Sequence, residues 1–383
     1  MKKMNLTSSY LKNFKCIGKG AESRVYQYDD QFLLKIFLPS VEIKSKEEKV
    51  KLLMELPLPS NVVKPEELVY VDGEFAGYKM KFISDADSLH EVQKPLFRKR
   101  NNLSERDLLF ICLRLGQTIK DLHSLGIVLG DIRSYNFLLK KNEVYLIDID
   151  SWGFADKSNL LPDAYTIDTI PSYCFDKEGK VTFSPVADLY GFAIVAFNIL
   201  ASIHPFDGYY PDNPKMNVTD RMKQGISVLG DHNIRIPASI PLWNWLSIDL
   251  RKAFIDVFEK NDKTVDIIKA IKKECDSFVY CEKHKVYYNG NEGCRYCLAE
   301  NSGIYSTQET LKCESSIFLS VGLEGDSPLV AYYQDSIAVV LPNAYIDNNN
   351  ILNIVSRSNG SLKYKCYELK RFFNDKEKWC IKC

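Results

Sequence analysis

The stretch Val128-Leu-Gly-Asp-Ile-Arg-Ser-Tyr-Asn136, followed by Val144-Tyr-Leu-Ile-Asp-Ile-Asp150, decides how this chain is read. Asp131 stands five residues before Asn136, and Asp148 lies twelve residues further on, at the end of an apolar run with β character. Asn136 and Asp148 are hard oxygen donors of the kind that suits Mg²⁺. Asp131 is placed to accept a proton from an attacking hydroxyl. This set fits phosphoryl transfer, in which a protein supplies positioned metals, charge neutralisation and an oriented nucleophile.

The residues before this stretch supply what such a site needs. Phe14-Lys-Cys-Ile17 reads as a strand leading into Gly18-Lys-Gly20, and Val25-Tyr26 resumes a strand. Gly18 and Gly20 lack Cβ atoms, so backbone amides there can approach phosphate oxygens closely. Lys35, on the strand Phe32-Leu-Leu-Lys-Ile-Phe37, is in reach of the α- and β-phosphates. A carboxylate on the next helix, Glu48 or failing that Glu47, is expected to hold Lys35. That helix covers 44–56, with Val50, Leu53 and Met54 at helical spacing and Pro57 and Pro59 ending it. Val62 to Val71 and Ala76 to Ile83 read as a β pair turning at Asp72-Gly73. The first 83 residues thus predict a small, mainly antiparallel sheet with one helix.

From Ser104 the pattern turns helical. Ser104-Glu-Arg-Asp107 is a capping box with Asp in place of Glu. Leu108, Ile111, Leu115, Ile119 and Leu122 then recur at steps of three or four, up to Gly126. Ala187 to Ala201 is apolar nearly all round, as a helix buried in a large core requires. One further helix is predicted from about Leu250 to Lys273. Arg98-Lys-Arg100 reads as a solvated linker, and His123 as a helix-end residue packing under the loop of Asp131.

A length of 383 residues allows two or three domains. Fifty Lys and Arg balance fifty Asp and Glu, which gives no reason to expect nucleic acid or an anionic membrane as partner. The N-terminus lacks the apolar core of a signal peptide. The longest apolar run, Phe192 to Leu200, contains Asn198 and is shorter than the ~20 residues that span a bilayer. A soluble, cytoplasmic protein is expected.

Of the eleven cysteines, Cys16, Cys112 and Cys174 are scattered and the other eight crowd into the last third. Cys281-Glu-Lys-His284 and Cys294-Arg-Tyr-Cys297 are two ligand pairs at two-residue gaps, with Gly290 and Gly293 giving a tight backbone before the second and Tyr287 and Tyr288 near enough to cover the site. Thiolate and imidazole at this spacing suit tetrahedral Zn²⁺, in a structural or docking role. Cys313, Cys366, Cys380 and Cys383 give a second site or free thiols with equal justice. The runs from Ile317 to Tyr367, with an Asn359-Gly360 hairpin turn, predict a small antiparallel β domain.

In these motifs the chain resembles the protein kinase superfamily over about residues 10–275. Ile17-Gly-Lys-Gly-Ala-Glu-Ser-Arg-Val25 resembles the glycine-rich loop, and Leu33-Leu-Lys35 the strand bearing the ATP lysine. Leu129-Gly-Asp131 stands where the family has His-Arg-Asp, and Asp148-Ile-Asp150 where it has Asp-Phe-Gly. Ala187-Asp-Leu-Tyr-Gly-Phe192 and His204-Pro-Phe206 are similar to the buried helix and following loop of Ser/Thr-type domains. Pro65-Glu-Glu-Leu-Val-Tyr70, Gly77-Tyr-Lys-Met80 and Ile147-Asp-Ile-Asp-Ser151 resemble a bacterial group of Ser/Thr-kinase-like proteins. Some of that group carry zinc ribbons and occur beside phosphatases and tellurite-resistance-type proteins.

The resemblance implies roles. Lys35 binds ATP phosphates and pairs with Glu48. Asp131 is the base, with Arg133 placing positive charge near the transferred phosphoryl in place of the usual lysine. Asn136 and Asp148 ligate Mg²⁺. Val25 lies beside the nucleotide, Met80 is the gatekeeper, and Lys81 to Ile83, with Phe82 between them, form the hinge that meets adenine. Asp188 bonds the backbone of the catalytic loop. The departures are Ser23 for the third loop glycine, Leu129-Gly130 for His-Arg, Ile149-Asp150 for Phe-Gly, and no clear Ala-Pro-Glu triplet. Without the arginine that reads activation-loop phosphate, activity independent of loop phosphorylation is expected. Whether Thr166, Thr169 or Ser172 is phosphorylated is not legible, and Asp150 reads equally as a support to the metal site or as a solvated cap.

The expectation is an α+β chain: a two-lobed kinase-like fold with an N-lobe at 10–83 and a C-lobe at 84–275, a zinc ribbon at 276–300 and a small antiparallel β domain at 301–383. It is read as an ATP- and Mg²⁺-dependent protein Ser/Thr kinase with structural Zn²⁺, its protein substrates or partners docked by the ribbon or β tail. The rivals are a small-molecule kinase of aminoglycoside or choline type and a nucleotide-binding pseudokinase scaffold.

Overall fold

The structure is a computed structural model. It describes residues 2–297 except 231, 238–239, 241–242, 244, 291–292 and 295–296, and beyond 297 the backbone of strands between 317 and 381. The chain divides into two compact units, Met1–Asp276 and Ser277–Cys383.

The first unit opens with β1 (Lys2–Leu6) and the short α1 (Ser8–Leu11), then β2 (Lys15–Lys19), β3 (Ser23–Gln27), β4 (Phe32–Phe37), α2 (Ile43–Glu55), β5 (Pro65–Val71) and β6 (Glu74–Lys81). The six strands form one sheet in the order β1-β5-β6-β4-β3-β2. Alternation along β4 sets its two faces. Leu34 and Ile36 pack with Val69, Met4, Leu6 and Phe14, while Leu33 and Phe37 pack with Val50, Leu68, Tyr78 and Met80 on the side of α2. Lys35 falls on the α2 face by the same alternation and is buried.

Two details depart from the sequence reading. β1 and α1 were not predicted, and β1 joins β5 in parallel, with Lys2 opposite Glu67. Val62 is not part of β5; it forms a parallel bridge to Leu146, and Val63 N donates to Leu146 O at 2.9 Å.

The rest of the unit is mainly helical. β7 (Asp87–Ser88), α3 (Leu89–Val92) and α4 (Pro95–Arg100) lead into α5 (Glu105–Ser124), which has both halves of the Ser104–Asp107 capping box. β8 (Ile127–Val128), β9 (Phe137–Lys140), β10 (Glu143–Leu146) and β11 (Gly153–Phe154) surround the loops of Asp131 and Asp148. α6 (Pro185–Ala201), α7 (Val218–Gln224), α8 (Ile248–Phe258) and α9 (Ile267–Asp276) follow. α6 is buried on nearly every side, and Phe197 meets Phe254 edge-on at 5.3 Å between ring centroids. Such aromatic pairs add about 0.5–1.5 kcal/mol beyond the area they bury.

The single helix predicted over 250–273 is two. Asn261 takes a left-handed φ of 51°, and Asp262 Oδ1 accepts from Thr264 N at 2.9 Å in a tight local turn that ends α8. Arg98 is not in a solvated linker. It lies in α4, where its Nε donates to Val92 O at 2.6 Å and its Nη2 to Ile199 O.

The second unit starts with the hairpin β12 (Phe278–Cys281) and β13 (Val286–Asn289). β14 (Ile317–Glu324), β15 (Ser327–Gln334), β16 (Ile337–Leu341), β17 (Tyr345–Ile346), β18 (Ile351–Ser358), β19 (Ser361–Arg371) and β20 (Lys378–Ile381) form an antiparallel sheet in the order β16-β15-β14-β20-β19-β18-β17. Ser358 pairs with Ser361; the Asn359-Gly360 turn itself, and the side chains of Cys313, Cys366, Cys380 and Cys383, lie outside the described residues. No helix among the described residues is long and apolar enough to cross a membrane.

Candidate active site

Asp148, Asp150 and Tyr78 converge on Lys35. The β9–β10 hairpin pairs Phe137 with Leu146, and Ile147 N donates to Asn136 O at 3.0 Å. Asn136 and Asp148 therefore leave the same end of one hairpin. Asp148 adopts a left-handed conformation, φ 62° and ψ 42°, which is costly for a non-glycine residue and is seen where surrounding contacts over-determine it. Those contacts are ionic: Lys35 Nζ donates to both Asp148 and Asp150. The two carboxylates differ sharply in setting. The Asp148 side chain is 38% exposed, open to a cation, whereas that of Asp150 is 2% exposed. Tyr78 Oη donates to Asp150 Oδ1 at 2.7 Å. Burial works against both charges, but Lys35 and Lys46 hold Asp150 well below the usual carboxylate range, and the two aspartates hold Lys35 above the ordinary lysine value.

The loop of Asp131 is fixed from beneath. The buried Asp188 of α6 accepts from Leu129 N at 2.8 Å and Gly130 N at 2.9 Å, and it meets His123 Nε2 at 2.9 Å. Asp131 is buried, and Asn136 Nδ2 donates to its backbone O at 3.1 Å and to Oδ2 at 3.0 Å. That orients the amide so that Asn136 Oδ1 is left as an acceptor, which Arg133 Nε meets at 3.3 Å. Arg133 Nε also lies 3.0 Å from Asp131 Oδ2. Thr166 Oγ1 donates to Asp131 Oδ1 at 2.6 Å, so the hydroxyl seen at the candidate base belongs to the following segment.

The positions expected to face a nucleotide also gather. Gly18 lies in β2 so close to β3 that a Cβ there would sit 3.3 Å from Val25 Cβ. Gly20 N donates to Ser23 O at 2.9 Å, and Arg24 Nη1 caps Gly20 O at 2.7 Å, shaping the loop tip. Val25, Met80 and Phe82 belong to one apolar cluster with Ile83 and Ile147. Phe82 N donates to Gln31 O at 2.7 Å at the end of β6.

Glu48 is the correction. It is exposed, and Glu47 is engaged by Tyr70 Oη at 2.9 Å and Lys51 at 2.8 Å. The face of α2 turned toward the site carries cations instead. Lys46 Nζ reaches Asp150 Oδ2 at 3.4 Å, Asp163 at 3.1 Å and Glu22 of the glycine-rich loop at 3.0 Å. Lys49 Nζ reaches Asp163 Oδ2 at 2.8 Å and Leu161 O at 2.7 Å. Lys46 and Lys49 lie with Val50 and Leu53 on the buried stripe of α2, and only their distant acidic partners distinguish them from solvated lysines. Asp163 and Tyr78 likewise carry no mark in the sequence of a role at this site.

The second unit holds a separate cluster. The ligand atoms of Cys281, His284, Cys294 and Cys297 all lie within 4.8 Å of one another. Cys281 Sγ is 3.6 Å from Cys297 Sγ, and His284 Nδ1 is 3.4 Å from Cys281, 3.7 Å from Cys294 and 3.4 Å from Cys297. Tetrahedral Zn²⁺ with ordinary bond lengths places S–S edges at about 3.8 Å and S–N edges at about 3.5 Å, so the donors fit that ion. Gly293, with φ 78°, supplies the tight backbone before Cys294, and Tyr280 and Tyr287 pack across the hairpin at 5.0 Å.

The protein kinase domain family matches residues 11–279. The chain belongs to that family of phosphotransferases. Human ribosomal protein S6 kinase alpha-1 is 22% identical over 179 residues, 45% of this chain and 23% of that protein. A probable myosin light chain kinase of Dictyostelium discoideum is 24% identical over 208 residues, 50% of this chain and 62% of that protein. The chain thus spans less than two thirds of either relative. The solved structure of the Cydia pomonella granulovirus kinase PK-1 aligns with a TM-score of 0.49 at 19% identity, covering 70% of this chain and 95% of that one.

Proposed function

We propose that the first unit transfers the γ-phosphate of Mg²⁺-bound ATP to Ser or Thr hydroxyls of proteins. The observation that carries this is the convergence of one buried lysine, one half-buried left-handed aspartate and an Asp–Asn pair on a braced loop. Asn136 Oδ1 and the Asp148 carboxylate are oxygen donors at the same hairpin end, and they fit Mg²⁺. The ion, when bound, neutralises charge developing on the phosphates. Lys35 binds phosphate oxygens, Asp131 orients the acceptor hydroxyl and takes its proton, and Arg133 adds positive charge beside it. Thr166 supports a hydroxyl acceptor, because a hydroxyl already sits 2.6 Å from Asp131 Oδ1.

We read Cys281, His284, Cys294 and Cys297 as a structural Zn²⁺ site, and the second unit as a docking module for protein substrates or partners. The test is γ-labelled ATP with a protein mixture and, separately, with amine- and hydroxyl-bearing metabolites, followed by phosphoamino-acid analysis. Label on phosphoserine or phosphothreonine supports the reading. Label on metabolites alone replaces it with a small-molecule kinase.

A further inference from the structure

We propose that Asp150, and not a carboxylate of α2, is the positioning residue that holds Lys35 toward nucleotide phosphate, with Lys46 of α2 bracing Asp150 from its other oxygen. The inference rests on the kinase reading of the same site.

Three observations carry it. First, the two aspartates beside Lys35 are divided by exposure, 38% for Asp148 against 2% for Asp150. A carboxylate that turns to a metal cannot also be the fixed partner of Lys35, and the closed-in one can. Second, Asp150 is over-determined: Oδ1 takes Lys35 and the Tyr78 hydroxyl, and Oδ2 faces Lys46 at 3.4 Å. Third, α2 turns no carboxylate toward this point. Glu47 and Glu48 face elsewhere, and buried Lys46 and Lys49 meet Asp150 and Asp163.

The polarity follows from charge balance. Buried ions persist when paired and hydrogen-bonded. Once Asp150 and Asp163 occupy the space between the loops and α2, a glutamate on that helix face would add a third anion, whereas lysines neutralise both. There is a mechanical consequence. Asp150 is two residues from Asp148. The lysine anchor and the metal-facing carboxylate therefore move as one segment, and a swing of α2 is not needed to bring Lys35 into line.

The test uses the full chain and measures the Kd for ATP by calorimetry, with KM and kcat beside it. Asp150→Asn is expected to raise the Kd and KM for ATP about tenfold, and Glu48→Gln to leave both within twofold of wild type. The decisive readout is a cycle with Lys35→Met. If Asp150 acts through Lys35, Asp150→Asn adds nothing to the Kd of Lys35→Met. A purely architectural Asp150 weakens binding equally in both backgrounds. Should Asp150→Asn not fold, Lys46→Met serves in the same cycle, with a rise of about threefold that also vanishes without Lys35. Loss of ATP affinity in Glu48→Gln, or an additive cycle, overturns the proposal. Wild type that binds ATP with the cycle as expected but transfers no phosphate defeats the kinase reading alone. Transfer with an additive cycle defeats this inference alone.

Discussion

Asp188→Asn is the substitution whose cost the structure lets us work out most fully. Asp188 is 1% exposed and receives three hydrogen bonds: Oδ1 from Gly130 N, Oδ2 from Leu129 N and His123 Nε2. Asparagine keeps the volume but has one acceptor. With its oxygen toward Leu129 and His123, its amide nitrogen faces the Gly130 N–H, and a buried donor loses its partner. That costs about 1–3 kcal/mol. The two surviving bonds lose their charge assistance, at about 1 kcal/mol each from the difference between ionic and neutral hydrogen bonds. The sum is about 3–5 kcal/mol. Urea unfolding followed by tryptophan emission reads it, because buried Trp152 lies in the neighbouring loop. Leu129 and Gly130 carry Asp131, so kcat should fall while the Kd for ATP stays near wild type. A variant within about 0.5 kcal/mol of wild type would refute the idea that Asp188 anchors the catalytic loop.

Other outcomes follow from the same geometry. Gly130 has φ 77°, and a Cβ there would lie 2.5 Å from Pro162 Cβ, so Gly130→Arg should not restore a phosphate-reading arginine. Even Gly130→Ala should cost about 1–2 kcal/mol or more from the left-handed backbone alone; an unchanged melting temperature contradicts this. His204 Nδ1 accepts from Phe206 N at 3.2 Å while Nε2 meets Asp168 O at 3.0 Å, so the ring is neutral, and burial lowers its pKa. Its contribution is whole above pH ~6.5 and is lost as pH falls through the depressed folded value, by at most about 1.4 kcal/mol per pH unit. His204→Asn should flatten that acid limb of a stability–pH curve, and an identical slope excludes the assignment. Purified protein should contain one zinc per chain, and Cys294→Ser should lose it; metal-free protein that retains a protected β12–β13 hairpin in hydrogen exchange argues against a structural ion.

Some of the site was legible because its determinants are local. Lys35 faces inward through the period of a five-residue alternation, Leu33 to Phe37, while the role of Asp188 came only from the resemblance of its helix to the kinase pattern. The polarity of α2 was not legible. Lys46 and Lys49 face inward only because Asp150 and Asp163 lie opposite, more than a hundred residues later in the chain. A lysine in a helix has no sequence mark that tells a buried ion pair from a solvated one until its partner is known. β1 was missed for a related reason: Lys2–Leu6 is a short edge strand paired in parallel, without the turn chemistry that announces a hairpin.

The most direct measurement is transfer of label from γ-labelled ATP in the presence of Mg²⁺, comparing wild type with Asp131→Asn at equal nucleotide occupancy. Wild type should label a protein hydroxyl, and Asp131→Asn should be slower by about 10²–10⁴ with its ATP affinity kept. Equal rates, or nucleotide binding by both proteins with transfer by neither, would contradict the assignment of Asp131 as the base of a phosphotransferase.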